Sequence, residues 1–265
     1  MRQPDARDAA WVLVLALLAM LGVRLLIQIG MPQLLAGAFQ QAAFFGAPLL
    51  YARWAGLRPF AASGFVPLGL RRSVLVLLAS LGSLWLMYGL SRMETVVIRL
   101  AGQEKQAEAE QEQLRRQLET ARDQNPIPAL VMLAVIPPLC EETFFRGILL
   151  RGLSARFGLA VALGGTSILF SAAHGTLVQR GMTIFLGAYF ALLVHLSGSL
   201  WAGVLAHAFN NLAVVTLTWM FGTELKDLPA PWWMLAFSAL VFGLAMSGLA
   251  LERGTPPAGS PVRGS

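Results

Sequence analysis

The sequence predicts an all-α fold, a polytopic transmembrane bundle of about eight helices. Three observations support this. Of the 265 residues, 56% are apolar and only 13% are charged, whereas a soluble globular domain has roughly 25% charged residues. Apolar runs long enough to cross a bilayer recur along the chain. One almost entirely polar segment, 102–125, stands apart from them. Because polar residues are too few to cover this apolar surface in water, lipid is the expected solvent.

The predicted spans are apolar runs with few charges, most of them 18 or more residues long and several short or interrupted. In chain order they are Ala9–Ile29, Leu34–Trp54, Val74–Leu90, Ile127–Leu150, Phe157–His174, Met182–Leu196, Leu200–Phe221 and Pro231–Leu251. An even number of spans puts both termini on the same side. More of the loop arginines fall on that side, which predicts that both termini are cytoplasmic. The net charge of +6 is small and spread along the chain, which is typical of loop and headgroup contacts rather than of a nucleic-acid surface.

The polar segment 102–125 is rich in Ala, Glu, Gln and Arg, which favour helix. It has only Leu114 and Leu118 to bury, so we expect a solvated helix or an extension of the third span. It could serve as a spacer or as a gate that contacts substrate. Residues 252–265 are rich in Pro, Gly and Ser, which predicts a disordered tail. The remaining residues, 1–251, are predicted to form one transmembrane domain with a functional core at about 127–221.

The fourth span contains an ionisable cluster, and ionisable residues within spans are expected to be functional. Glu142 and Arg146 are at i and i+4 on a helix and can pair, whereas Glu141 points about 100° away. The spacing therefore predicts a structural ion pair for Glu142 and a free, cavity-facing Glu141. Pro137 and Pro138, just upstream, should kink the helix and free backbone carbonyls, which must then face protein or a water pocket.

Two later spans carry further polar residues. His174 ends the run FSAAH in the fifth span, and a single histidine there is also compatible with simple helix packing. In the seventh span His207 and Asn211 are at i and i+4, so they share one helix face. His195 lies near the end of the sixth span and is interpreted as interfacial.

A buried carboxylate, two histidines and an amide suit hydrolysis. The carboxylate can act as general base on water, a neutral histidine can orient that water, and His207 with Asn211 can donate hydrogen bonds to an oxyanion. The same residue types also allow Zn²⁺ to bind, with Glu141, His174 and His207 as ligands. The helix-borne zinc pattern HExxH is absent from the sequence.

The stretches EETFFRG, FSAAH and HAFNN resemble the motifs EExxxR, FxxxH and HxxxN of the CPBP family, the CAAX-protease and bacteriocin-processing (Abi-type) membrane proteins. The resemblance covers about residues 134–211. It implies an eight-helix bundle with a catalytic cavity inside the membrane and a glutamate-dependent peptidase mechanism. By position, Glu141 would be the base and His174 its water-activating partner. His207 and Asn211 would form the oxyanion site. Glu142 and Arg146 would support the site, and no metal or other cofactor is expected.

The leading hypothesis is therefore an intramembrane glutamic endopeptidase in a bacterial inner membrane. Its partners would be the lipid bilayer and membrane-associated protein or peptide substrates, with no nucleic acid. A zinc-dependent version of the same protease is one alternative, and a non-catalytic immunity or binding protein is another. A third is a small transporter that uses Glu141 and His174 as a proton relay, which would require an inverted repeat that the sequence lacks.

Overall fold

The computed structural model describes residues 3–174, 177–222 and 231–253, and every regular element assigned in these ranges is helical. The elements are α1 Ala6–Gln28, α2 Gln33–Trp54, the short α3 Pro59–Ser63, α4 Leu70–Leu100, α5 Glu104–Gln124, α6 Pro126–Phe157, α7 Leu159–Ala173, α8 Leu177–Ser197, α9 Leu200–Phe221 and α10 Trp232–Leu251. The predicted all-α polytopic bundle is confirmed, and the chain is a multi-pass integral membrane protein. Of the predicted tail 252–265, all but Glu252 and Arg253 lie outside the described residues.

Six described helices are long and apolar enough to cross a membrane. They are α1, α4, α6, α8, α9 and α10. The predicted spans 34–54 and 157–174 fold as α2 and α7, which are not among the six. α2 has 22 residues and carries Gln40 and Gln41 in its middle. α7 is apolar but has only 15 residues. The count of eight spans therefore stays a prediction.

The polar segment between spans three and four is helical, as predicted, and forms α5. Its buried residues are Ala107 and Leu118, while Leu114 is half-buried. The helix docks on the C-terminal end of α9, where the Trp219 indole Nε1–H donates to the Leu118 carbonyl at 3.0 Å. α5 therefore lies against the bundle at the end where α9 finishes.

Two groups of buried residues hold the helices together. Around α6, the rings of Phe44, Phe144, Phe145 and Phe170 form a chain of contacts with centroids 4.8–5.7 Å apart. On the other side, α4 packs closely on α10 because Gly82 has no side chain. A Cβ there would lie 2.8 Å from the Phe242 backbone nitrogen. Small residues permit this close approach of two membrane helices.

Candidate active site

The prolines of α6 shape the backbone around the ionisable cluster. Pro137 and Pro138 have no N–H, so neither can bond the carbonyl four or five residues back, and this leaves the Leu133 carbonyl without an intrahelical donor. The side-chain amide of Asn211 donates to that oxygen at 3.0 Å. The freed carbonyl thus faces protein, as predicted. α6 is π-helical at Val131–Val135 and again at Thr143–Leu149, on either side of the two glutamates. Such widened turns are frequent at functional sites.

Glu142 is held by two nitrogen groups on the same carboxylate oxygen. The predicted i, i+4 pair is present: Arg146 Nη1 donates to Glu142 Oε1 at 2.8 Å, and both side chains are fully buried. His207 Nδ1 lies 3.0 Å from that same Oε1. The Arg146 guanidinium also donates to the Gly187 carbonyl at 2.9 Å and stacks 4.4 Å from the Phe170 ring centroid. Glu142 is therefore the centre of a structural network.

Glu141 is less engaged. Its Oε1 accepts a hydrogen bond from Gln41 Nε2 of α2 at 2.9 Å. Its Oε2 is buried without a hydrogen-bond partner among the described residues. His207 Nε2 lies 3.9 Å from that oxygen. One carboxylate oxygen of Glu141 thus keeps its full capacity to bond a water or a substrate.

The His207 imidazole stands between the two glutamates. Its ring stacks on Phe190 at 4.8 Å with an interplanar angle of 18°, and the edge of Phe170 lies 5.7 Å away. Since Nδ1 is engaged by Glu142, the stacked ring has its Nε2 directed towards Glu141. In the neutral ring, an N–H at Nδ1 leaves a lone pair on Nε2.

His174 caps the C-terminal end of α7 and is half-buried. Its Nδ1 lies 2.8 Å from the Phe170 carbonyl, and its ring packs 4.6 Å from the Phe170 ring. Among the described side chains, no hydrogen bond or ion pair joins His174 to Glu141 or His207. Phe170 links the two histidines, because it contacts both rings.

The predicted site residues therefore fall into two sets. One continuous buried group contains Glu141, Glu142, Arg146 and His207. His174 and Asn211 lie at its border, where their side chains are within hydrogen-bond distance of the Phe170 and Leu133 backbone carbonyls, respectively. In the part of the chain that the structure describes, no three His, Cys, Asp or Glu side chains are placed to hold a metal ion. Glu141, His174 and His207 thus do not form a metal-binding group in this arrangement.

Sequence reasoning missed two residues of the site. Gln41 bonds Oε1 of Glu141, and the polar pair Gln40–Gln41 inside an apolar run was the signal that could have found it. Gly203 of α9 lies against Glu142: a Cβ there would be 2.7 Å from Glu142 Oε2. No sequence signal separates this glycine from the others.

Residues 123–213 match the sequence profile of the family described as Rce1-like, type II CAAX prenyl endopeptidase. The matched segment contains all six motif residues, from Glu141 to Asn211. The match supports the resemblance of this segment to the CPBP family. Gln41 lies outside the segment, so the family match does not include the residue that bonds Glu141. No curated protein and no solved structure matches the chain. The CPBP match supports an intramembrane protease of the CAAX type in general terms.

Proposed function

We propose that the protein is an intramembrane endopeptidase that hydrolyses membrane-associated protein or peptide substrates, with Glu141 as general base. One observation carries the proposal: Glu141 Oε2 is buried, has no hydrogen-bond partner among the described residues, and faces His207 Nε2 across 3.9 Å. The rest of the cluster holds this pair in place.

The distance between these two atoms is compatible with one bridging water molecule. Two atoms 3.9 Å apart are too far for a direct hydrogen bond, but a single water can lie within about 2.8 Å of both. It would donate one hydrogen to Glu141 Oε2 and the other to the Nε2 lone pair of His207. Gln41 fixes the other oxygen of Glu141, and Glu142 fixes the other nitrogen of His207.

Hydrolysis then follows in two proton transfers. Glu141 takes a proton from the water while the water oxygen attacks the scissile carbonyl carbon, which gives a tetrahedral oxyanion. Collapse of that intermediate breaks the C–N bond, and Glu141 returns the proton to the departing amine. Asn211 has a second amide hydrogen beside the one that bonds Leu133, and it can donate to the oxyanion.

The histidines have two possible assignments. The family resemblance assigns the water to Glu141 and His174, and the oxyanion to His207 with Asn211. The contacts favour His207 for the water, because it faces Glu141 whereas no described bond joins His174 to Glu141. His174, with Nδ1 directed at the Phe170 carbonyl, would then offer its Nε2 to the substrate or leaving group.

Two matched variants test the proposal. Glu141→Gln should lower kcat/KM for a cleaved membrane peptide by about 10²- to 10⁴-fold, the usual contribution of a general base. Its melting temperature should change little, because a glutamine oxygen can still accept from Gln41. Glu142→Gln should instead lower the melting temperature, since it leaves the fully buried Arg146 without its carboxylate, a change that typically costs about 3–5 kcal/mol.

The assay would use purified protein in detergent and a peptide library with prenylated and unprenylated members, with and without a chelator. Activity that survives the chelator favours the glutamate mechanism, and activity lost to it favours the zinc version. Equal cleavage by wild type and Glu141→Gln would remove Glu141 as the base. Cleavage of no library member by folded wild type would favour a non-catalytic immunity or binding protein.

We also propose that the protein lies in a bacterial cytoplasmic membrane with both termini in the cytoplasm. Arginines cluster at the end of the bundle where α1 begins and α10 finishes, and basic loops tend to stay on the cytoplasmic side.

A further inference from the structure

A cavity of about 350 Å³ lies at the arginine-rich end of the bundle, away from the glutamates. It is bounded by the C-terminal part of α6, the beginning of α7 and the last turn of α8. Its polar lining comes from Arg151, Ser154, His195 and Gln3, and its apolar lining includes Leu159 and Val194. Arg151 is about 15 Å beyond Glu141 along α6, and the cavity contains none of the residues proposed for catalysis.

Two nitrogens at this cavity have unused hydrogen-bonding capacity. Arg151 Nε and His195 Nε2 are both buried and have no hydrogen-bond partner among the described residues. A guanidinium can only donate, so Arg151 requires an acceptor. No acidic residue of the described ranges lines the cavity. A half-buried cation without an acceptor is costly, and none of the described residues supplies one to Arg151 Nε.

Arg151 is nevertheless held in a defined position. Its guanidinium packs against Gly64, the residue after α3, where φ is +82° and a Cβ would lie 2.6 Å from Arg151 Cζ. The Gly64 carbonyl accepts from the Leu200 backbone N–H at 2.8 Å, which fixes this turn to the start of α9. The guanidinium is thus positioned by packing. Its Nε is enclosed, so the terminal Nη groups, which bond no described residue, are the donors that can reach a ligand.

The acidic side chains at this end of the bundle are engaged elsewhere. Glu252 pairs with Arg71 at 2.6 Å and with Arg72 at 3.3 Å. Asp8 accepts from the Tyr51 hydroxyl and from the Asp5 backbone N–H, both at 2.9 Å. None of them neutralises Arg151 by a described ion pair.

We propose that this cavity, the headgroup pocket, binds the phosphate group of an anionic membrane lipid. Arg151 would donate to the phosphate oxygens, and His195 would add a donor from the α8 side. Basic pockets between membrane helices are suited to anionic headgroups because they combine a cation with access from the bilayer surface. The apolar side chains of Leu159 and Val194 then face the glycerol end of the lipid. This site is separate from the proposed peptidase and does not depend on it.

The test is ligand binding by the full-length protein after delipidation in a neutral detergent. The probes are short-chain phosphatidylglycerol, short-chain phosphatidylcholine and inorganic phosphate, followed by native mass spectrometry and by the shift in melting temperature. Phosphatidylglycerol should bind wild type and raise its melting temperature. Arg151→Gln should weaken that binding by at least about tenfold, since a charge-assisted guanidinium–phosphate contact is lost. His195→Gln should weaken it by a smaller factor.

Arg156→Gln is the matched control, because Arg156 is an exposed arginine on the same helix that does not line the cavity. It should bind phosphatidylglycerol like wild type. Inorganic phosphate that competes at similar concentration would identify a soluble phosphate as the source, whereas a lipid-specific response identifies the headgroup. Equal affinity of wild type and Arg151→Gln would overturn the proposal. If Arg151→Gln does not fold, unchanged affinity in His195→Gln, or no preference of wild type for phosphatidylglycerol over phosphatidylcholine, would do the same.

Discussion

Gly203 of α9 is placed where only a hydrogen can fit beside the Glu142 carboxylate. A Cβ there would lie 2.7 Å from Glu142 Oε2 and 2.8 Å from Val194 Cγ2. The carboxylate has little freedom to move, because its other oxygen is bonded by both Arg146 and His207. A methyl group at Gly203 must therefore displace the centre of the buried network, and with it the ring that faces Glu141.

Gly203→Ala should lower both stability and peptidase activity. Overpacking a buried site typically costs about 1–3 kcal/mol, and turning His207 away from Glu141 should reduce kcat more than KM. The measurements are the melting temperature and steady-state cleavage kinetics. Gly164→Ala is the matched control: a Cβ on this helical glycine of α7 would meet no atom within 4 Å, so alanine should be neutral or slightly stabilising. Equal behaviour of the two variants would show that Gly203 does not position Glu142.

Sequence reasoning predicted the pairing of this network that is local along one helix, Glu142 with Arg146. The Glu142–Arg146 pair follows from helical spacing, and the freed carbonyl follows from Pro137 and Pro138. Gln41 and Gly203 were missed because their contacts are tertiary. Gln41 lies 100 residues from Glu141 along the chain, and no helical repeat relates them. The position of His174 relative to Glu141 was likewise beyond spacing arguments, since the two residues are on different helices.

Helix α5 forms because of interactions within its own segment, but it docks on the bundle through a contact with another helix. Its helical structure follows from composition and from ion pairs: Arg115 bonds Glu112 and Glu119, each at 2.7 Å, and Arg116 bonds Glu112 at 2.7 Å. Its docking depends on Trp219, whose indole reaches the Leu118 carbonyl. The sequence predicted the helix, but a nearly all-polar segment gives no apolar stripe from which a partner could be inferred.

The α5 ion pairs predict an acid-dependent change in this helix. Hydrogen bonds from Arg115, then from Arg116, lower the pKa of Glu112 to about 2 from an ordinary value of 4.5. A carboxyl whose pKa is depressed in the folded state contributes stability above its unfolded pKa and loses that contribution as pH falls towards the folded value. The contribution of Glu112 should therefore be intact above about pH 4.5 and be lost between about pH 4.5 and 2.

Carboxyl ¹³C NMR of the full-length protein labelled at glutamate would measure this titration, with Glu112→Gln used to assign the signal. In wild type the midpoint should lie near 2. In the Arg115→Gln/Arg116→Gln double variant it should move up towards the ordinary range, because both donors are gone. A wild-type midpoint near 4.5 would mean that these pairs are not populated in solution.

In the whole molecule, successive long helices run in alternate directions, and the charged residues lie mainly at the two ends of the bundle. α1 starts, and α10 finishes, at the end that carries arginines with few acids, whereas α5 brings mixed charges to the opposite end. Hydropathy predicted this arrangement well for long apolar helices. It predicted the borders less well: α4 continues to Leu100, ten residues past the predicted span, because its last turns combine polar and apolar residues. α7 departs from the simple pattern because it has only 15 residues.

The distribution of arginines predicts which end faces the cytoplasm. The single cysteine makes this prediction easy to measure. Cys140 is buried, so wild type should react little with a membrane-impermeant maleimide. Pro67→Cys places a thiol in the exposed connection between α3 and α4 without removing an arginine, and Glu108→Cys places one on the exposed face of α5. In intact cells the reagent should label Glu108→Cys and not Pro67→Cys, and both should react after the membrane is permeabilised.

The reverse pattern would invert the orientation, and labelling of both in intact cells would mean that the two ends do not lie on opposite sides. Loops rich in arginine tend to stay in the cytoplasm, so the charge distribution predicts the first pattern. That pattern would also place the headgroup pocket in the cytoplasmic leaflet, where anionic lipids are enriched.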